Sequence, residues 1–247
     1  MGLFRKKQNQ NAGFAFSQGE RKRTLHKHLE FTATEQYKLL RTNLAYTIPQ
    51  DVKCPIIGVT SSTRGEGKST TAVNLSYVLA ENKKRVLLID GDLRIPSIAK
   101  KMEIDHYPGL TDMLMGRWPA SLEELRSSLL EDWYILPSGA IPPNPSELIG
   151  SSRMEVLLRE LSEKFDYIVI DLPPLNIVSD ALAVAKLITG MIVVVREDYT
   201  EKKELENCFR QLGLSNINVL GCVMNECKVG KFSYGKYRKK SYYQSNP

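Results

Sequence analysis

The sequence predicts an α/β fold, with a doubly wound, mostly parallel sheet and helices on both faces. Three observations predict it. Short, near-continuous apolar runs recur along the chain, as in strands buried on both faces. Segments with helical apolar spacing alternate with those runs. A glycine-rich loop joins the first run to the helical segment after it.

Residues 1–30 are polar and basic and are expected to form a flexible segment. A helix is expected over 34–48, where Tyr37, Leu40, Leu44 and Ile48 share a stripe and Pro49 ends the run. Strands are expected near 56–60, 86–90, 133–136, 167–171, 191–195 and 217–224. Helices are expected near 68–81, 96–103, 110–115, 121–129, 146–163, 178–188 and 200–212. The proline-rich stretch 137–145 follows a strand, so it is expected to rim the same crevice as the glycine loop. The chain thus divides into a basic N-terminal segment (1–30), an α/β domain (31–226) and a flexible tyrosine-rich tail (227–247).

The 247 residues and the 42% apolar content suit one domain with a sizeable core. No apolar run approaches the ~18–20 residues that span a bilayer, and no signal-peptide pattern opens the chain, so a cytosolic location is expected. The cysteines (Cys54, Cys208, Cys222, Cys227) form no Cys-x-x-Cys pair, and His26, His28 and His106 lie elsewhere, so no zinc site is expected. The net charge of +6 is unevenly spread: residues 1–28 carry +6, residues 226–247 carry +5 and the stretch between carries −5. Basic ends on an acidic body fit contact with a membrane surface, nucleic acid or an acidic partner.

The loop reads Ser61-Ser62-Thr63-Arg64-Gly65-Glu66-Gly67-Lys68-Ser69-Thr70. Between a strand and a helix, such a loop turns backbone N–H groups toward phosphates, and the helix N-terminus adds partial positive charge. Gly65, Glu66, Gly67, Lys68, Ser69 and Thr70 are therefore the candidate nucleotide-binding residues. Lys68 is placed to reach the β- and γ-phosphates, and Ser69 to bind magnesium. The pattern departs from the general P-loop at its first glycine, where Ser62 stands.

Two of the apolar runs end in aspartate, at Asp90 (with Asp92 two residues on) and at Asp171. Ligands of open α/β sheets bind beyond the carboxyl ends of the strands. Lys68, Asp90, Asp92 and Asp171 are thus expected in one crevice, with chemistry suited to a hard cation and substrate phosphates. The tail holds four of the chain's eleven tyrosines, Tyr234, Tyr237, Tyr242 and Tyr243, among glycine, serine and lysine. Phosphorylation adds about −1.5 to −2 per site, so four sites would reverse the +5 of residues 226–247.

From about residue 34 onward the chain resembles the bacterial tyrosine kinases of the exopolysaccharide and capsule biosynthesis type. The likeness rests on Gly65-Glu66-Gly67-Lys68-Ser69, on Leu88-Ile89-Asp90-Gly91-Asp92-Leu93-Arg94, and on Ile168-Val169-Ile170-Asp171-Leu172-Pro173-Pro174. Pro142-Pro143-Asn144-Pro145-Ser146-Glu147-Leu148 and the tyrosine tail complete it. The resemblance implies a P-loop NTPase-like fold, ATP and Mg2+ as cofactors, and autophosphorylation of the tail. It implies Asp90 as the base for the tyrosine proton, Asp92 assisting at the metal, and Ser69 with Asp171 organising magnesium. Asn225, after the last strand, is a candidate adenine contact.

The same resemblance implies a homo-oligomeric ring in the dephosphorylated state, with contacts from a Glu-x-x-Arg-x-x-Arg helix. Here the match is Glu35, Lys38 and Arg41, and lysine keeps the charge but not the two-pronged geometry of arginine. Further implied partners are a transmembrane activator of the chain-length-determinant type, protein tyrosine substrates and a cognate phosphatase, which place the kinase at the inner face of the cell membrane. The competing reading is a partitioning or positioning ATPase. Such proteins place a lysine five residues before the P-loop lysine, where Thr63 stands here. A nucleic-acid-binding module is the more distant alternative.

Overall fold

A computed structural model describes residues 29–227 apart from 118–121, 126 and 128. The four tail tyrosines and most of the basic N-terminal segment lie outside the described residues. Six strands, β1 (Ile56–Ser61), β2 (Val86–Asp90), β3 (Trp133–Leu136), β4 (Tyr167–Asp171), β5 (Gly190–Arg196) and β6 (Val219–Asn225), form one sheet. Its order is β3-β2-β4-β1-β5-β6, and every neighbouring pair is parallel.

Side chains alternate across the sheet with period two. Leu87, Ile89, Ile168, Ile170, Met191 and Val193 face one apolar cluster. Val86, Leu88, Val169, Ile192 and Val194, from the same strands, face another. Two buried faces require two helical layers, which is why these strands read as continuous apolar runs. One layer holds α1 (Phe31–Thr47), α2 (Lys68–Glu81) and α3 (Ile98–Met102). The other holds α4 (Leu110–Leu114), α5 (Pro145–Ile149), α6 (Ser152–Ser162), α7 (Asp180–Ala183) and α8 (Lys202–Leu214).

Helix ends follow local chemistry. α1 stops before Pro49 because Ile48 is held extended, at ψ 130°. The helix expected over 146–163 is two helices, since Gly150 ends α5 and Ser151 starts α6 by accepting a bond from the Met154 amide. Gly150 also lies close to α7, where a Cβ would be 3.1 Å from that of Ala183. The helix expected over 178–188 shortens to α7 and a 3-10 turn at Ala185–Leu187, and that over 96–103 to α3. Within the expected 121–129 helix, the described part is a 3-10 turn at Leu122–Leu125.

Strand order positions the chemistry. β4 lies between β2 and β1, so Asp90 and Asp171 are register partners and Val59 of β1 is opposite Asp171. The loop leaving β1 therefore rises directly beside both aspartates.

Candidate active site

The loop after β1 needs two glycines. Gly65 (φ +82°) and Gly67 (φ +98°) adopt left-handed backbone that L side chains rarely take. Gly67 is also crowded: a Cβ there would lie 2.0 Å from Asn225 Nδ2. Gly67→Ala is expected to distort the loop and weaken Mg-ADP binding by an order of magnitude or more, read by calorimetry with the unfolding midpoint as control.

Lys68, Asp90, Asp92 and Asp171 converge as expected. Lys68 Nζ donates to Asp92 Oδ2 at 2.8 Å, to Asp171 Oδ1 at 3.4 Å and to Ser69 Oγ at 3.3 Å. Burial pulls the Lys68 ammonium down, but the charges of Asp171 and Asp92 outweigh it, so it stays protonated. Asp92 is also fixed through Oδ1, which accepts from the Ile95 amide.

Asp90 is fully buried. Its Oδ2 accepts from the amides of Ser97 and Ile98 at 3.0 and 2.9 Å, at the start of α3. Burial first, then the charge of Asp171, pushes Asp90 up to about 7, against the pull of those amides and Lys68. Asp171 is raised as well, by burial, with Lys68 and Ser69 opposing. A buried carboxylic group that ionises near neutrality suits a general base.

The donor set fits magnesium. Asp171 Oδ2 is buried with no hydrogen-bond partner, beside the Ser69 hydroxyl, and Asp92 shares Lys68 Nζ with Asp171, while the orphaned Asp90 Oδ1 is left open to take a proton. Hard oxygen donors of this kind suit a hard divalent cation. Among the described residues no three acidic, imidazole or thiol groups form a metal cage by themselves. Magnesium here would complete its shell with water and phosphate oxygens, as it commonly does.

Other expected residues enter differently. Thr70 follows Ser69 in the first turn of α2, half-buried. The Glu66 carboxylate bonds to Ser62, Thr63 and Thr200. Asn225 donates from Nδ2 to the Glu66 carbonyl at 3.0 Å, so it holds the loop from the end of β6. On α1, Lys38 pairs with Glu35 at 3.0 Å on a half-exposed face. Arg41 donates to the Val78 carbonyl at 2.7 Å, so its guanidinium is engaged with α2 of its own chain.

Two groups of residues were missed by sequence reasoning. Asp180, 1% exposed, receives both prongs of Arg94 at 2.8 and 3.1 Å, and the Ser146 hydroxyl. It thereby ties the loop after β2 to α5 and α7. Arg196, the last residue of β5, forms with Tyr199 and Thr200 just beyond it a strap that touches the phosphate loop. Their position beyond the carboxyl end of a strand flanking β1 was the available signal.

A sequence profile described as an AAA domain matches residues 54–212. Over 209 residues the chain is 36% identical to the tyrosine-protein kinase YwqD of Bacillus subtilis (strain 168), covering 84% of this chain and 87% of that protein. The chain belongs to the bacterial tyrosine-protein kinase family. A second member, tyrosine-protein kinase CpsD of Streptococcus pneumoniae serotype 4, is 34% identical over 85% of this chain and 92% of its own length. Among solved structures, the chimerical protein CapA2B2 superposes at a TM-score of 0.74 with 30% identity, covering 81% of this chain and 87% of that one. The septum site-determining protein MinD of Pyrococcus horikoshii OT3, complexed with Mg-ADP, reaches 0.56 at 27% identity over 69% and 70%. The P-loop fold is thus shared with positioning ATPases, while the closer likeness is to the tyrosine-kinase family.

Proposed function

We propose that this chain is an ATP-dependent protein-tyrosine kinase that phosphorylates its own C-terminal tyrosine cluster and thereby regulates capsule or exopolysaccharide synthesis and export. One observation carries the reading: a P-loop lysine bonds to Asp92 and Asp171 beside the buried strand-end Asp90, which is raised to about 7, in a member of this family.

In this reading the loop amides and Lys68 hold the ATP phosphates. Ser69, Asp92 and Asp171 would hold magnesium, which would supply charge neutralisation at the phosphates when bound. Asp90 takes the phenol proton as the tyrosine oxygen bonds to the γ-phosphorus and the bond to the ADP oxygen breaks. Such transfer needs mainly positioning and charge stabilisation. The acceptors are Tyr234, Tyr237, Tyr242 and Tyr243, in a tail spanning 227–247. Other protein tyrosines and a cognate phosphatase complete the cycle.

No helix among the described residues is long and apolar enough to cross a membrane. Location at the inner membrane face would therefore come from a transmembrane activator. A ring of dephosphorylated copies would use the Glu35 and Lys38 face of α1, with Arg41 bracing that helix from behind. The likeness to MinD favours an ATPase without kinase activity as the second reading, against which Thr63 stands in place of the lysine that reads across such dimers.

The test is incubation with Mg-ATP, with and without the activator's cytoplasmic segment, followed by phosphotyrosine mass spectrometry. Phosphate on the tail tyrosines is expected, with loss of transfer on truncation before Phe232. ATP hydrolysis without phosphotyrosine in either condition would establish the positioning-ATPase reading.

A further inference from the structure

We infer that Glu66 and Thr200 are positioning residues that aim the amides of the phosphate loop, an inference that rests on the nucleotide-binding reading of that loop. Glu66 lies between the two left-handed glycines yet is only 1% exposed. A buried carboxylate is costly unless its oxygens are bonded. Here Oε1 accepts from Ser62 Oγ at 2.7 Å and from Thr200 Oγ1, and Oε2 accepts from the Thr63 amide at 2.9 Å. Ser62 occupies the position where the general pattern has glycine. Its hydroxyl is spent on Glu66, so the departure at Ser62 and the charged residue at 66 account for one another.

Thr200 fixes the direction of its own contact. Its oxygen accepts from the Arg196 amide at 2.9 Å, which leaves its single proton for Glu66. The same strap gathers the loop's carbonyls. Tyr199 Oη donates to the Arg64 carbonyl at 3.1 Å and Arg196 Nη1 to that of Gly65 at 3.1 Å. Asn225 takes the carbonyl of Glu66. In a planar trans peptide the C=O and the following N–H point in opposite directions. Drawing the carbonyls of 64 and 65 to the strap and that of 66 to Asn225 therefore turns the N–H groups of Gly65, Glu66 and Gly67 away from those partners. Successive amides turned to one side make an anion-binding concavity. Glu66 pins this arrangement from within the loop, and Thr200 joins it to the start of α8.

The test compares Thr200→Val, Thr200→Ser and Glu66→Gln with the full-length parent. Calorimetry measures Mg-ADP and adenosine binding, and hydrogen exchange follows amides 63–68 without nucleotide. Thr200→Val is expected to weaken Mg-ADP about tenfold, the scale of one lost charge-assisted bond. Adenosine affinity should hold, and amides 63–68 should exchange faster. Thr200→Ser, which keeps the hydroxyl, should restore both values. Glu66→Gln should move them the same way as Thr200→Val, and it decides the matter if the valine variant does not fold. Unchanged exchange and Mg-ADP affinity in Thr200→Val and Glu66→Gln would overturn the inference. A parent that binds no Mg-ADP would refute the nucleotide-binding reading, and the exchange result alone would then judge the brace.

Discussion

Lys68→Ala is expected to reduce tail phosphorylation at least ~10²–10³-fold, the range seen when one aligned donor to developing charge is removed. The ammonium has two tasks here. It faces the place where phosphate oxygens would sit, and it is the cation among Asp90, Asp92 and Asp171. Its loss leaves three buried carboxylates at one sheet edge without that counter-charge. Asp90 and Asp171 respond by holding protons more tightly, because burial and neighbouring carboxylates already raise both. The variant should consequently be less stable than the parent at pH 8 and approach it as the pH falls toward 5. Phosphotyrosine mass spectrometry reads the first effect, and thermal unfolding across that range reads the second. An unfolding deficit that does not shrink on acidification would contradict the carboxylate account.

Asp90→Asn is expected to cost about 10²–10⁴-fold in transfer, the usual contribution of a general base, while leaving the fold intact. The asparagine oxygen can accept from the Ser97 and Ile98 amides as Asp90 Oδ2 does. Its amide nitrogen then takes the place of an oxygen that has no partner. In the parent, kcat/KM should fall as the pH drops through about 7, because the base must be ionised.

Stability should move the opposite way. Asp90 is raised from an ordinary 3.8 to about 7, so the folded chain holds this proton more tightly than the unfolded one. That contribution is fully present below the ordinary carboxylate range and is lost as the pH rises toward 7. Asp90→Asn removes the penalty. The variant should therefore unfold at a higher temperature than the parent at pH 8, with the gap closing near pH 4. An inactive variant with no stability gain at pH 8 would show that Asp90 carries no strain from burial.

Much of the site was legible because its signals are local. Strand, glycine loop and helix are contiguous, and the spacing of Gly65, Gly67, Lys68 and Ser69 survives any question of topology. Asp90 and Asp171 were legible as the ends of apolar runs. Helix boundaries were less so. The apolar periodicity of 146–163 continues across Gly150 and Ser151, but capping by Ser151 and the close approach of α7 divide it. The proline-rich loop after β3 was expected at the nucleotide crevice. Its Ser138–Ile141 part lines a groove with Pro96, Ala99, Lys100, Ile104 and His106, next to the Ser97 and Ile98 amides that hold Asp90. Ser146, the first residue beyond it, reaches the Arg94–Asp180 pair.

By itself, then, the sequence determined the α/β class, the six strands, the phosphate loop and the acidic strand ends. Each follows from patterning within about twenty residues, where backbone periodicity ties side-chain type to burial. The tertiary structure alone decided that β4 separates β1 from β2, which sets Asp171 between Asp90 and the phosphate loop. It alone decided that Glu66 meets Thr200 and Asn225 meets the Glu66 carbonyl, across 134 and 159 residues of sequence. Contacts at that range leave no local pattern. They form only where parallel crossovers, each feeding a helix back over one face, gather the carboxyl ends of all the strands on one edge of the sheet.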